Sequence, residues 1–370
     1  MGVGYSAMKK MNILFIGKRF NTNRDALLEK FGRNYQFPLH LAELHNVALW
    51  LVDYHTKTTI QSIDGSLRIT STPVKNLAVF KHYLLGAYKS TQTIDMVIAS
   101  GDCYIALMAQ RVAKKLKAKF VFDVYDKYDE FSGYVKPLGF DLFGYLLKKA
   151  DMRLFASHAL LHTLGQPKHD AILSNGLDAN HFRPIDKAEA RRKLQLSADA
   201  TYVGYFGSME PDRGVQDLIA ALQILREQGQ SIELLLGGKA HDSLQLDQPG
   251  IRYLGNVPFA DVPYALAASD VLAIPHRRSA FLDAAAPNKV GEALVMQRPI
   301  VATRSPNLTA NFPQQAQELE PYLAEPENPI SLAKAIEKQL QNRYLISANS
   351  KLGWNEVAAE IETYLDMLRQ

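Results

Sequence analysis

The sequence predicts an α/β protein with two doubly wound domains, each a parallel sheet covered by helices. Three observations predict it. Short apolar runs that end in glycine or a turn alternate with helical stretches along most of the chain. A segment of turn formers, Leu173 to Pro184 (LSNGLDANHFRP), interrupts that alternation near the middle. At 370 residues the chain is also too long for one ordinary core, and domains of roughly 150 to 200 residues are expected.

The first strand is Asn12 to Gly17 (NILFIG), an apolar run ending in glycine, the usual opening of an α/β unit. Val47 to Val52, Met96 to Ala99, Phe120 to Val124 and Arg153 to Ala156 read as further buried strands, with a basic helix over 102–117 and another over 138–149. The domain boundary falls in LSNGLDANHFRP. Beyond a charged helical stretch at 186–195, a second series runs through the strand Tyr202 to Gly207, the helix 214–228, and the strands Ile232 to Leu236, Val271 to Ile274 and Ile300 to Ala302. Helices fill the chain from about 331 onward. Ser305 to Pro329 reads as irregular and Pro-rich, and no internal repeat or low-complexity tract is visible.

Composition, at 47% hydrophobic and 22% charged residues, is that of a soluble globular protein. A single cysteine, Cys103, rules out an internal disulfide and fits a reducing compartment. The apolar run after Lys9 and Lys10, Ile13 to Ile16, is too short for a signal peptide. No stretch approaches membrane-spanning length, so a cytoplasmic location is expected. Charge is uneven: residues 1–175 carry a net +9 and residues 176–370 a net −5. A basic first half points to an anionic partner, whether a membrane surface, a phosphorylated acceptor or nucleic acid, or else to a solvated basic face. Two basic amphipathic segments there, Lys75 to Lys89 (with Leu77, Phe80, Leu84 and Tyr88 on one side) and Phe140 to Lys149, could lie on an anionic membrane or simply cover a sheet.

Two stretches carry candidate chemistry. Residues 287–303 (PNKVGEALVMQRPIVAT) read as a helix feeding a buried strand, with Pro287 at the first helical position. Lys289 and Glu292 share a face at the positive end of that helix. The amides and the lysine could hold a phosphate while the glutamate accepts from vicinal ribose hydroxyls; the alternative is a surface ion pair. Residues 205–218 (YFGSMEPDRGVQDL) read as strand, loop and helix, with Gly207 and Gly214 letting amides approach a ligand and Arg213 placed to meet a phosphate. This stretch lacks the Walker lysine and the G-x-G-x-x-G spacing. Two helix starts with one cation each suit a diphosphate bound without a metal. His158 and His162 have metal-ligand spacing, but without the H-E-x-x-H glutamate they read as a surface or core pair.

Together, NGLDANHFRP, GSMEPDRGVQDLIAAL, IRYLGNVPFADVPYALAASDVLAIP and PNKVGEALVMQRPIVAT resemble the retaining GT-B glycosyltransferases of family four, over essentially all of residues 170–303. The resemblance implies two Rossmann-like domains facing across a cleft. Residues 1–175 would hold the acceptor and 176–350 the nucleotide sugar, with a C-terminal helix at 351–370 crossing back to the first domain. It also implies a UDP- or GDP-linked sugar as donor and a glycan or lipid-linked acceptor. No carboxylate-rich metal motif appears, so no cofactor or metal is expected; no nucleic-acid partner is expected, and the basic first half could give peripheral contact with the inner face of a membrane.

Carried over by position, Arg213 matches the basic residue that contacts the donor diphosphate, and Glu292 the second glutamate of E-x7-E, which binds the ribose. Gly207 and Ser208 lie at the strand end, Asn288 and Lys289 open the helix, and Gly255, Asn256 and Val257 match the loop whose backbone meets the base. Ser208 replaces the family's usual arginine, and Ala284 stands where its first glutamate falls. In the first half, residues 122–129 (FDVYDKYD) resemble the loop beside the reacting sugar, with Asp126 at its aspartate and Tyr125 where histidine is frequent. Asp123 or Asp126 could orient or deprotonate the acceptor hydroxyl, or only cap the loop. Arg213 and Lys289 are the groups that would neutralise a departing diphosphate. The competing readings are a sugar-nucleotide epimerase of the same architecture and a nucleotide-sugar-binding module without catalysis.

Overall fold

The structure, a computed structural model, describes residues 10–21, 24–89, 93–131, 133–166, 170–286, 288–347 and 352–369. The chain forms two units, one made of Met1–Gly176 with Trp354–Gln370 and the other of Leu177–Gly353.

The first unit runs β1 (Asn12–Lys18), the two-residue strands β2 (Phe20–Asn21) and β3 (Arg24–Asp25), α1 (Arg33–Leu44) and β4 (Asn46–Asp53). It continues with β5 (Ile60–Asp64), β6 (Leu67–Pro73), α2 (Leu77–Tyr88), β7 (Met96–Ser100), α3 (Cys103–Leu116), β8 (Lys119–Val124), α4 (Leu142–Lys149), β9 (Met152–Phe155), α5 (His158–Leu164) and β10 (Asp170–Ile172). The strand order is β10-β9-β8-β7-β1-β4-β6-β5. Strands β7 and β9 are buried at every position, as strands covered on both faces must be. The sheet is not wholly parallel, because β5 pairs with β6 antiparallel. The cause is local: Gly65, at φ 56°, makes the tight turn between Asp64 and Leu67 that an Asp-Gly pair favours. The helix expected over 138–149 starts later, at Leu142, since Leu138 and Gly139 take φ of 51° and 79° and break the turn before it.

The second unit runs α6 (Lys187–Lys193), β11 (Thr201–Phe206), α7 (Val215–Glu227), β12 (Ile232–Gly237), β13 (Ile251–Tyr253), α8 (Val262–Ala268), β14 (Val271–Ile274), α9 (Ala280–Ala284), α10 (Asn288–Val295) and β15 (Ile300–Thr303). It closes with α11 (Pro306–Asn311), α12 (Pro313–Glu318), β16 (Leu323–Ala324) and α13 (Pro329–Asn342). Its six strands are ordered β13-β12-β11-β14-β15-β16, and all pair in parallel. Alternate strand residues serve two cores. Val203, Tyr205, Val271, Ala273 and Val301 pack with α7 and α13, while Tyr202, Leu272, Ile274, Ile300 and Ala302 pack with α8 and α10. The Pro-rich stretch from Ser305 is more ordered than expected, because Pro306 and Pro313 each sit at a first helical position, where the missing N–H costs nothing. Pro287, read as the first residue of α10, lies outside the described residues.

The last helix, α14 (Trp354–Arg369), follows a non-helical stretch after Asn342 rather than continuing α13. It packs on the first unit. Trp354, Val357, Ile361 and Leu365 share a core with Phe15, Phe37, Leu41 and Leu49, and a buried hydrogen bond of 2.7 Å joins His45 Nε2 to Glu362. Each such large side chain is worth about 1.5–3 kcal/mol of burial.

Candidate active site

In the second sheet β11 has β12 on one side and β14 on the other. The strand order therefore reverses between β11 and β14, and at such a switch point the loops leaving the two carboxyl ends part and leave a crevice. Gly207 follows β11 at φ 142°, a conformation that favours glycine, and a Cβ there would lie 2.7 Å from Lys289 Nζ. The ammonium from the first turn of α10 therefore rests against the end of β11. It also lies 5.5 Å from the Tyr205 ring centroid. The Tyr205 hydroxyl donates to the Ser208 carbonyl at 2.7 Å and so holds the strand-end turn.

The loop then reaches Arg213 and Gly214. Gly214 takes φ 70°, and a Cβ there would strike the Pro275 carbonyl, so the start of α7 is pressed against the backbone leaving β14. The Arg213 guanidinium lies 5.7 Å from the Phe281 ring centroid, its Nε is buried without a hydrogen bond, and the Asp212 carboxylate is 3.7 Å from that Nε. Burial, and then Arg213, push the Lys289 ammonium below the usual lysine range, while Glu292 acts in the opposite direction. A cation whose charged form is disfavoured in this way is poised for an anion.

The structure thus brings together Gly207, Arg213, Lys289 and Glu292. Ser208 is half-buried beside them. The loop after β13 joins through Gly238, whose N–H donates to the Gly255 carbonyl at 2.7 Å and whose α-carbon abuts the Gly207 carbonyl. Val257 is buried under Gly237, whereas Asn256 and Asn288 are exposed. Ala284, at the end of α9, is buried.

One residue at this site escaped the sequence reading. His276, two residues beyond β14, is 6% exposed, and its Nε2 has no hydrogen-bond partner. Burial, then Lys289, then Arg213 hold its pKa well below the usual histidine range. The available signal was its place just past a buried strand; the motif run Ile251 to Pro275 stops one residue short of it. Its neighbour Arg277 is committed elsewhere, in a bidentate pair with Asp217 at 2.6 and 2.7 Å.

In the first unit, the two candidate carboxylates have different surroundings, Asp123 near the end of β8 and Asp126 in the loop after it. Asp123 is fully buried and accepts from Arg33 at 2.5–3.0 Å and from Ser100 Oγ at 2.6 Å, so it serves as an internal ion-pair partner. Asp126 is half-buried beside Tyr125, whose hydroxyl donates to the Gly101 carbonyl at 3.0 Å. Burial and then Asp126 raise the Tyr125 pKa well above the ordinary tyrosine value. His158 and His162 both fall on α5. Among the described residues no three His, Cys, Asp or Glu side chains are grouped to hold a metal, and no helix is long and apolar enough to cross a membrane.

Two Rossmann-like α/β units of this kind define the GT-B fold, and solved structures agree. Sucrose-phosphate synthase from Thermosynechococcus elongatus superposes with a TM-score of 0.72 at 16% identity, over 97% of this chain and 99% of that one. Anabaena HepE, solved in complex with UDP and glucose, superposes with a TM-score of 0.66 at 16% identity, over 96% and 100%. The family model described as Glycosyl transferases group 1 matches residues 200–342. A D-inositol 3-phosphate glycosyltransferase of Segniliparus rotundus is 29% identical over 145 residues, 36% of this chain and 32% of that protein. A GDP-mannose-dependent monoacylated alpha-(1-6)-phosphatidylinositol monomannoside mannosyltransferase of Corynebacterium glutamicum is 28% identical over 114 residues, 28% of this chain and 30% of its own. The chain thus spans about a third of the length of these curated relatives.

Proposed function

We propose that the protein is a retaining glycosyltransferase that moves a sugar from a UDP- or GDP-linked donor to a glycan or lipid-linked acceptor in cell-surface polysaccharide synthesis. The observation that carries this reading is the convergence of Arg213 and Lys289 at the β11–β14 switch point, with the Lys289 ammonium against Gly207. A departing nucleoside diphosphate develops charge there, and fixed cations in a partly dry site stabilise it as it forms. The same placement accounts for Ser208: Lys289 supplies from α10 a cation at the strand end where the family pattern has arginine. Glu292 then receives the ribose hydroxyls, and the Gly255–Val257 backbone receives the base. Asp126 is assigned, from the resemblance of its loop, to orienting the acceptor hydroxyl. The family match over residues 200–342, the GDP-mannose-dependent relative and the UDP-bound HepE structure of the same fold support a nucleotide sugar as donor.

The enzyme works without a divalent metal in this reading, because Arg213 and Lys289 take its place at the leaving group. It acts in the cytoplasm, peripheral to the inner face of the membrane. Leu77 and Leu85 of α2, and Leu138 and Phe140 before α4, are exposed in the basic first unit, which supports that placement. Incubation with labelled UDP- and GDP-sugars and an acceptor panel tests the function: transfer sustains it, a changed sugar indicates an epimerase, and binding alone indicates a non-catalytic module.

A further inference from the structure

His276 has the features of an unused ligand. The backbone around it is fixed from three sides: its carbonyl accepts from Thr303 Oγ1 at 2.5 Å, the Pro275 carbonyl abuts Gly214, and the Arg277 N–H donates to the Asp212 carbonyl at 2.8 Å. The imidazole is enclosed, yet Nε2 makes no hydrogen bond. A buried polar atom left unmatched costs stability, and such sites persist where a ligand completes them. We propose that His276 is a third ligand of the anion held by Arg213 and Lys289, and that it takes up a proton as the anion binds. This rests on the diphosphate site described above and adds to it a residue and a pH dependence.

The charges acting on the ring are those of Lys289 and Arg213. Asp212 stands beside Arg213 and Glu292 beside Lys289, while Arg277 is turned to Asp217. Before an anion binds, burial and the two cations hold the pKa of the ring well below the usual histidine range. An anion between the cations reverses the sign of the local field and places acceptor oxygens within reach of Nε2. A proton from solvent then completes an imidazolium whose Nε2–H donates to an anion oxygen. Since the bound-state pKa lies above the free-state pKa, affinity rises as pH falls through the interval between them.

The test uses the full chain with 15N-labelled histidine, followed by NMR from pH 8.5 to 5, in sodium sulfate and in sodium chloride of equal ionic strength. Sulfate stays ionised throughout, so any proton taken up belongs to the protein. His276→Gln identifies the signal among the ten histidines. If that variant does not fold, Arg213→Gln identifies it as the signal that moves when the neighbouring cation is removed. The expected result is a ring neutral in chloride whose midpoint rises by at least one pH unit in sulfate, with sulfate bound at least about tenfold more tightly at low pH. If sulfate binds, weakens on Arg213→Gln, and leaves His276 neutral, the inference is overturned and the diphosphate site stands. If sulfate, UDP and GDP all leave the protein's signals unmoved, site and inference fall together.

Discussion

The interior of the first unit and the switch point of the second place buried charge in opposite ways. In the first, Arg33 is enclosed by Asp123, the Leu173 carbonyl and Asn175, and Arg19 is shared between Asp25 and Asp53. Each cation is matched by groups of the same unit. At the switch point of the second, Arg213 keeps a buried Nε without a hydrogen bond, burial holds the Lys289 pKa below the usual lysine range, and His276 has a buried Nε2 without a hydrogen bond and a pKa well below the usual histidine range. Charge satisfied internally holds a fold together; charge left under-satisfied in a crevice is available to a ligand. The comparison teaches where to look for stability and where to look for binding.

The sharpest way to break it is Arg33→Ala. Removing that guanidinium leaves Asp123 buried without its ion-pair partner, and a loss of about 3–5 kcal/mol in unfolding free energy is expected by urea denaturation. An unchanged midpoint would mean that the buried pair contributes nothing.

Arg213→Ala and Lys289→Ala should behave differently. Each should lower nucleoside-diphosphate affinity by about 1.5–3 kcal/mol, roughly 10- to 150-fold, in calorimetry. Neither should cost comparable stability. Because the folded protein binds the Lys289 proton less tightly than the unfolded chain does, the unfolded state carries more protons between the two pKa values. Stability should therefore rise with pH across the window ending near the ordinary lysine value, and Lys289→Met should flatten that slope. Near-normal binding in both alanine variants would remove the phosphate assignment.

A smaller effect separates ribose recognition from phosphate recognition. Glu292→Gln keeps the shape but loses the charge-assisted bond, so nucleoside-diphosphate affinity should fall by about 1 kcal/mol. Wild type should discriminate against a 2′-deoxy ligand and the variant should not. Strict additivity in that double-mutant cycle would return Glu292 to the role of a helix-start partner of Lys289. The smallest effect expected is none at all: turnover should survive a chelator, and loss of activity restored by magnesium or manganese would show a metal at the leaving group.

The fold class was legible because it rests on periodicity. Val271–Ile274 and Ile300–Thr303 are short apolar runs buried at every position, and such runs between helices have few other destinations. The β5–β6 hairpin was missed, although its Asp64-Gly65 pair was visible, because β5 is a polar edge strand and β6, beside it, mixes Arg, Ser and Thr with its apolar residues, so neither has an apolar run. Local motifs predicted which residues flank each strand end. They did not predict that the Lys289 side chain would fold back onto Gly207, or that Asp123 would be consumed by Arg33, 90 residues away. His276 lay beyond reach for the same reason: what singles it out is enclosure among distant cations, a property of packing.

The helix α14 also sets an order of events for the chain. His45 meets Glu362 across 317 residues, so the first unit cannot finish its core until the second has been synthesised. For a flexible chain that closure costs about 5 kcal/mol, and prior folding of Leu177–Gly353 shortens the span to be closed. Made on a ribosome, the second unit emerges whole while the first waits with the Phe37 and Leu41 face of α1 uncovered. The waiting half is therefore the aggregation-exposed one, and a chaperone that engages this nascent chain would find its binding surface there, on the strand and helix faces that the last sixteen-residue helix will cover.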